Sequence, residues 1–189
     1  MSEFETGFPG LARFIFDLFS LPMRSESTKP EIFQQVEQQL RQQGFGIERQ
    51  DQTRPWGGFF VIDENQAQPF ADTYFDGLSV DSLRIAGKLS PKVLLVAPHQ
   101  RLSWQYHHRR AEIWRVVSGT VGIITSPTDE EGKLKTYSPG EQITLQQGER
   151  HRLIGLDGWG TVAEIWQHTN AEEPSDEDDI VRVQDDFGR

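Results

Sequence analysis

The feature that most limits what this chain can fold into is a change in the spacing of its apolar residues near Arg54. Before that point the spacing is helical. Leu11, Phe14, Ile15, Leu18 and Phe19 lie three and four apart, which predicts a helix over Gly10–Leu21. Ile32, Phe33, Val36 and Leu40 repeat the pattern and predict a second helix over Pro30–Gln43, with proline at its start and Gly44 just past its end. After Arg54 the period becomes two. Short β-rich runs follow at Phe59–Ile62, Lys92–Ala97, Leu102–Tyr106, Glu112–Val117, Val121–Thr125, Lys133–Tyr137, Gln142–Leu145, His151–Ile154 and Thr161–Gln167. Turn signals separate them, among them Ser118-Gly119, Pro139-Gly140, Gln147-Gly148 and Asp157-Gly158. Many short strands punctuated in this way predict an all-β sandwich or barrel, with the helices covering it or a partner subunit. The stretch Gln66–Leu89 holds Pro69 and Asp76-Gly77, shows no clear period, and reads as mixed loop and short strand. The expected division is a helical segment over 1–53 packed on a barrel domain over 54–189.

The 189 residues, 35% hydrophobic and 25% charged, suit a folded chain with one full core. No apolar run approaches the roughly 20 residues that cross a bilayer; the most apolar, Leu11–Leu21, is broken by Arg13 and Asp17. The opening residues are acidic rather than basic, unlike a signal peptide. The absence of cysteine excludes disulfides, thiolate zinc sites and a cysteine nucleophile, and it suits the cytoplasm. A net charge of −10 argues against nucleic acid as a partner. Much of that charge lies between Glu172 and Asp186, where composition alone suggests a solvated tail.

The chemistry concentrates in Arg101–Ile123, RLSWQYHHRRAEIWRVVSGTVGI. Gln105 and His107 are two apart and share a strand face. A turn at Arg109-Arg110 and a hairpin return would bring Glu112 beside His107, and His151 opens a later strand. Two imidazoles, a carboxylate and an amide oxygen make a mixed nitrogen and oxygen donor set. Such a set suits zinc, iron, manganese, cobalt or nickel. Trp114 and Ile165 are expected to wall the site, with His99 and His168 outside it.

The spacing Gln105, His107, Glu112, Gly119, followed by Gly148 and His151, resembles the two motifs of the cupin superfamily. More closely, RLSWQ (101–105), RAEIW (110–114) and VVSGT (116–120) resemble the cupin domain of type II mannose-6-phosphate isomerases. Arg54–Gly57 (RPWG) and the ending, Glu177–Arg182 with Asp185–Arg189, are similar to that family as well, and Gln is usual there in the first ligand position. Departures occur at Arg109 and Ile113, where the family carries histidines, and at His99 and Gln146.

This resemblance implies a cupin double-stranded β-helix, a jelly-roll barrel, holding one divalent metal, zinc first, on Gln105, His107, Glu112 and His151. It implies an ordered tail with Ile180 and Val181 partly buried. It also implies an aldose–ketose isomerase of the mannose 6-phosphate and fructose 6-phosphate type, working as a cytoplasmic homodimer on a small sugar phosphate. The general base would be His108 or Glu141, and Arg101, Arg110 and Lys92 would hold phosphate. Alternatives are an isomerase of another phosphorylated sugar such as a heptose phosphate, a non-catalytic sugar-binding cupin, and an iron-dependent oxygenase. Larger members carry an N-terminal nucleotidyltransferase domain with a Gly-rich loop; neither is visible in this sequence, so sugar-nucleotide synthesis is not expected.

Overall fold

The computed structural model describes residues 27–84 and 88–188. The helix expected over 10–21 lies outside the described residues. The second expected helix is α1 (Lys29–Gln42). Pro30 sits in its first turn, where no intrahelical N–H is needed, and Glu31 accepts a hydrogen bond from the Thr28 N–H at 2.8 Å. Among the described residues eleven strands follow it: β1 (Ile47–Asp51), β2 (Gly57–Ile62), β3 (Lys92–Val96), β4 (Trp104–Tyr106), β5 (Arg110–Ser118), β6 (Val121–Ser126), β7 (Lys135–Tyr137), β8 (Gln142–Leu145), β9 (Arg150–Gly155), β10 (Gly160–His168) and β11 (Val181–Gln184).

They form two antiparallel sheets, ordered β1-β2-β3-β10-β5-β8 and β11-β4-β9-β6-β7. This is the expected all-β jelly roll. The first strand, β1, pairs with β2 and so enters the sheet ahead of Arg54.

Alternation along the six-stranded sheet sorts two cores. Phe59, Val61, Leu94, Val96, Trp114, Val116 and Val162 face Ile123 and Leu153 of the second sheet. Their neighbours Phe60, Ile62, Val93, Leu95, Ile113, Ala163 and Ile165 face the other way, onto Ile32, Phe33, Val36 and Leu40 of α1. A sheet buried on both faces explains why β2 and β3 read as nearly unbroken apolar runs. Gly119 closes the β5–β6 turn at φ +70°, where an added Cβ would sit 2.1 Å from the Trp159 carbonyl oxygen.

The stretch expected to be loop and short strand contains a helix, α2 (Ala67–Tyr74), after a 3₁₀ turn over Glu64–Gln66. Its buried residues Ala67, Phe70, Ala71 and Tyr74 are helically spaced. Pro69 reads as a breaker but occupies the first turn, where proline is tolerated. The acidic ending is ordered as expected: β11 pairs with β4, and Ile180 and Val181 are partly buried.

Phe60 is fully buried between α1 and the sheet. Phe60→Ala is expected to lower the unfolding free energy by about 3–5 kcal/mol in urea titration. Val183→Ala on exposed β11 should stay within roughly 0.5 kcal/mol.

Candidate metal centre

Three side chains from both sheets meet at one point. His107 follows β4, His151 lies on β9, and Glu112 lies on β5 of the facing sheet. One ligand atom from each falls within 4.8 Å of the others, and all three residues are buried. The expected β4–β5 hairpin is not what joins them. β4 and β5 belong to different sheets, so the chain crosses the barrel between His107 and Glu112. Gln105 stands directly opposite His151 across the β4–β9 ladder. Gly148, at φ +75°, shapes the turn before β9 and donates its N–H to the His107 carbonyl at 2.9 Å.

The hydrogen bonds fix both tautomers. His107 donates Nδ1–H to the Asp179 carbonyl, and His151 donates Nδ1–H to the Glu149 carbonyl at 3.0 Å. A carbonyl oxygen only accepts, so each Nε2 presents a bare lone pair. These lone pairs point at Glu112: His107 Nε2 lies 3.2 Å from Oε1 and His151 Nε2 lies 3.5 Å from Oε2. Arg110 donates from Nε to Glu112 Oε1 at 2.8 Å and from Nη2 to His107 Nε2 at 3.1 Å. Glu112 Oε2 and His151 Nε2 have no hydrogen-bond donor among the described residues. Two unsatisfied buried acceptors facing each other are costly, about 1–3 kcal/mol each, and a cation between them would relieve both.

Burial pushes the His151 imidazole down to about 4, against the attraction of Glu112. It is therefore neutral at pH 7, the form that binds metal. Burial opposes the charge on Glu112, but neighbouring positive charge, which with both imidazoles neutral is the Arg110 guanidinium, outweighs it and holds the carboxyl well below the usual range. The donor set fits a divalent transition metal.

The family described as mannose-6-phosphate isomerase C-terminal matches residues 67–185, which include this cluster. The chain belongs to that family. Among curated relatives, this cupin is 32% identical over 125 residues to the alginate biosynthesis protein AlgA of Pseudomonas aeruginosa, covering 66% of the chain and 24% of AlgA. It is 33% identical over 114 residues to the mannose-1-phosphate guanylyltransferase ManC of Salmonella typhimurium, covering 58% and 21%. It is 36% identical over 136 residues to the xanthan biosynthesis protein XanB of Xanthomonas campestris, covering 72% and 23%. The chain thus spans about a quarter of the length of these relatives. The capsular polysaccharide assembling protein CapF of Staphylococcus aureus superposes with a TM-score of 0.49 at 15% identity, over 72% of this chain and 34% of CapF. A cupin 2 conserved barrel protein of Salinispora arenicola gives 0.35 at 21%, over 40% and 60%.

These relatives correct the functional expectation. They are named for guanylyl transfer and polysaccharide biosynthesis, not for isomerisation alone, so the isomerase reading and its heptose-phosphate variant do not stand. Guanylyl transfer is said of those longer proteins, and none of these names points to an oxygenase.

Beside the cluster lies a cavity of about 350 Å³, lined in part by Gln105, Glu112, Lys92, Arg110, Glu164 and Trp166. Of the expected phosphate ligands, Lys92 and Arg110 line it, but both are engaged. Lys92 pairs with Glu177 at 2.9 Å. The Arg110 guanidinium stacks 3.7 Å above the Trp166 ring and is held by Glu112, Ser175 and the Asp176 carbonyl. Arg101 does not line the cavity; it pairs with Asp186 in the tail. Neither expected base is there. His108 is exposed, because alternation turns it away from His107, and Glu141 is exposed and accepts from the Ser138 N–H. His99 and His168 stay outside the cluster as expected. Trp114 lines the cavity, but Ile165 faces the helices instead.

Sequence reasoning missed Glu164. It sits on β10 in the inward register of Val162 and Trp166, and it accepts from the Trp114 and Trp166 indole N–H groups, each at 2.9 Å. A lone carboxylate at even spacing inside an apolar strand was the available signal. Arg54 and Trp56, quoted only as a motif, also line the cavity.

Burial raises Glu164 from 4.5 to about 7, helped by the nearby Glu112 charge. A raised carboxyl contributes stability that is fully present below pH 4.5 and lost as pH rises through 7. Glu164→Gln removes that loss. The stability of the variant relative to the parent should therefore climb as pH goes from 4.5 to 7, as read by denaturant unfolding of metal-free protein. A difference independent of pH would contradict the assignment.

Proposed function

We propose that this chain is a divalent-metal cupin module that binds a phosphorylated sugar in the service of sugar-nucleotide formation. The observation that carries the reading is the pair of unsatisfied acceptors, Glu112 Oε2 and His151 Nε2, beside a cavity of inverted charge. Five cationic side chains line that cavity, Arg49, Arg54, Lys92, Arg110 and Arg182, against the carboxylates Glu112, Glu164, Glu177 and Asp178. The chain as a whole carries −10, so the local balance favours an anion where the global one does not. The relatives' names supply the sugar-nucleotide context.

In this reading His107, Glu112 and His151 hold zinc, with Gln105 as the fourth ligand, and His107 Nε2 gives up its Arg110 hydrogen bond to the metal. Gln105 Oε1 already accepts from the Ser103 hydroxyl at 2.6 Å, which orients the amide and leaves a lone pair. When bound, such a metal acts as a Lewis acid toward ligand oxygens. The remaining work belongs to side chains. Trp56, Phe59 and Trp166 give the sugar ring an apolar wall and exclude water. Lys92 and the cavity arginines offer charge to phosphate. Glu164 holds or releases a proton near neutrality.

A homodimer in the cytoplasm and a division near residue 54 complete the proposal. The absence of cysteine is in keeping with the cytoplasm, and α1 packed on the sheet with a helical layer that ends before β1 joins the barrel.

Calorimetric titration of zinc-loaded protein with mannose, mannose 1-phosphate, mannose 6-phosphate and GDP-mannose tests the ligand class. A phosphorylated mannose should bind at least about tenfold tighter than mannose, a difference of about 1.4 kcal/mol, and Lys92→Ala should erase most of that preference. Equal binding of all four, or binding of none, would contradict the proposal.

A further inference from the structure

We propose that the C-terminal segment Ser175–Gln184 is one side of the metal centre, with Asp179 its positioning residue, so that metal binding and the docking of this segment are thermodynamically coupled. The inference rests on the metal reading above and goes beyond it by assigning a role to the acidic ending.

Asp179 acts through two groups at once. Its carbonyl fixes the His107 tautomer. Its carboxylate accepts from the His108 N–H at 3.0 Å, the Arg109 N–H at 2.9 Å and the Ser175 hydroxyl at 2.7 Å. The same side chain therefore clamps the turn that presents the ring whose tautomer its backbone sets. Asp179 is 5% exposed, so this clamp is not a loose surface contact.

The second ligand is reached through Arg110. Its Nη1 donates to the Ser175 hydroxyl and the Asp176 carbonyl, each at 2.9 Å, while its Nε holds Glu112 Oε1. Ser175 is tied down in turn, its N–H donating to His168 Nδ1 at 2.9 Å. The third is reached through the sheet, where Arg182 of β11 stands opposite Gln105 of β4. Three of the four proposed ligands are thus reached, directly or through Arg110, by a segment some 65–77 residues further along the chain.

A group that orients a metal ligand commonly changes affinity by about 10–100-fold when removed. Coupling is reciprocal. If the docked segment raises metal affinity, bound metal must favour the docked segment by the same factor.

Hydrogen exchange of the intact protein, with and without zinc, reads one direction. Zinc should slow exchange over 175–184 by at least about tenfold while leaving the solvated face of α1 unchanged. Competition titration with a chromophoric chelator reads the other. Asp179→Ala should weaken zinc by about 10–100-fold, Asp179→Asn should fall between it and wild type, and the visible spectrum of the cobalt form should shift with them. Wild-type affinity and cobalt spectrum in Asp179→Ala, or no zinc effect on 175–184, would overturn the coupling while leaving the metal site intact. Wild-type protein that takes up no zinc would overturn the metal reading itself and this inference with it. The wild-type titration alone tells the two failures apart.

Discussion

The structure depends on two buried imidazoles whose protons are committed to backbone carbonyls. Once Nδ1–H of His107 and of His151 is spent on Asp179 and Glu149, both Nε2 lone pairs must face something, and what they face is the Glu112 carboxylate. Neutral nitrogen and ionised oxygen do not attract across such short distances without a hydrogen or a cation between them. Arg110 supplies part of that positive charge, on one oxygen and one nitrogen. The other oxygen and nitrogen are left for a metal, which fits a chain in which no cysteine is available to form a thiolate site.

The fold serves this meeting point from both sides. Strand alternation sends Arg110, Glu112 and Trp114 of β5 inward together, and Glu164 and Trp166 of β10 beside them. The facing sheet brings Gln105 and His151 into direct register. Outside, α1 and α2 bury the opposite face of the six-stranded sheet, so the inner face can carry charge without losing its support. Paired hydrogen bonds make those charges tolerable: Glu164 receives two indole N–H groups and Lys92 meets Glu177.

Much of this was legible in the sequence because two periods carry it. Apolar residues at three and four apart gave α1, alternation gave the strands, and the spacing of His107, Glu112 and His151 gave the cluster. What stayed hidden depends on contacts distant in the chain. The hairpin reading of 105–112 was wrong because a turn within one sheet and a crossing between two sheets have the same local sequence. α2 was missed because Pro69 looks like a breaker until its place in the first turn is known. Arg101 looked like a phosphate ligand because a cationic side chain does not name its partner; Asp186 turns out to hold it. The assigned isomerase activity failed for another reason: the same domain sits in proteins named for guanylyl transfer, and motif spacing reports the metal cage rather than the reaction.

The central claim is that the acceptor cluster is a metal centre, and anomalous diffraction from crystals of zinc-loaded protein tests it most directly. The account predicts one strong zinc peak about 2.0–2.2 Å from nitrogen and oxygen ligands, those ligands being His107 Nε2, His151 Nε2, a Glu112 oxygen and Gln105 Oε1. A crystal saturated with zinc whose only peaks lie on surface carboxylates, with Glu112 and His151 still facing each other across an empty gap, would contradict it.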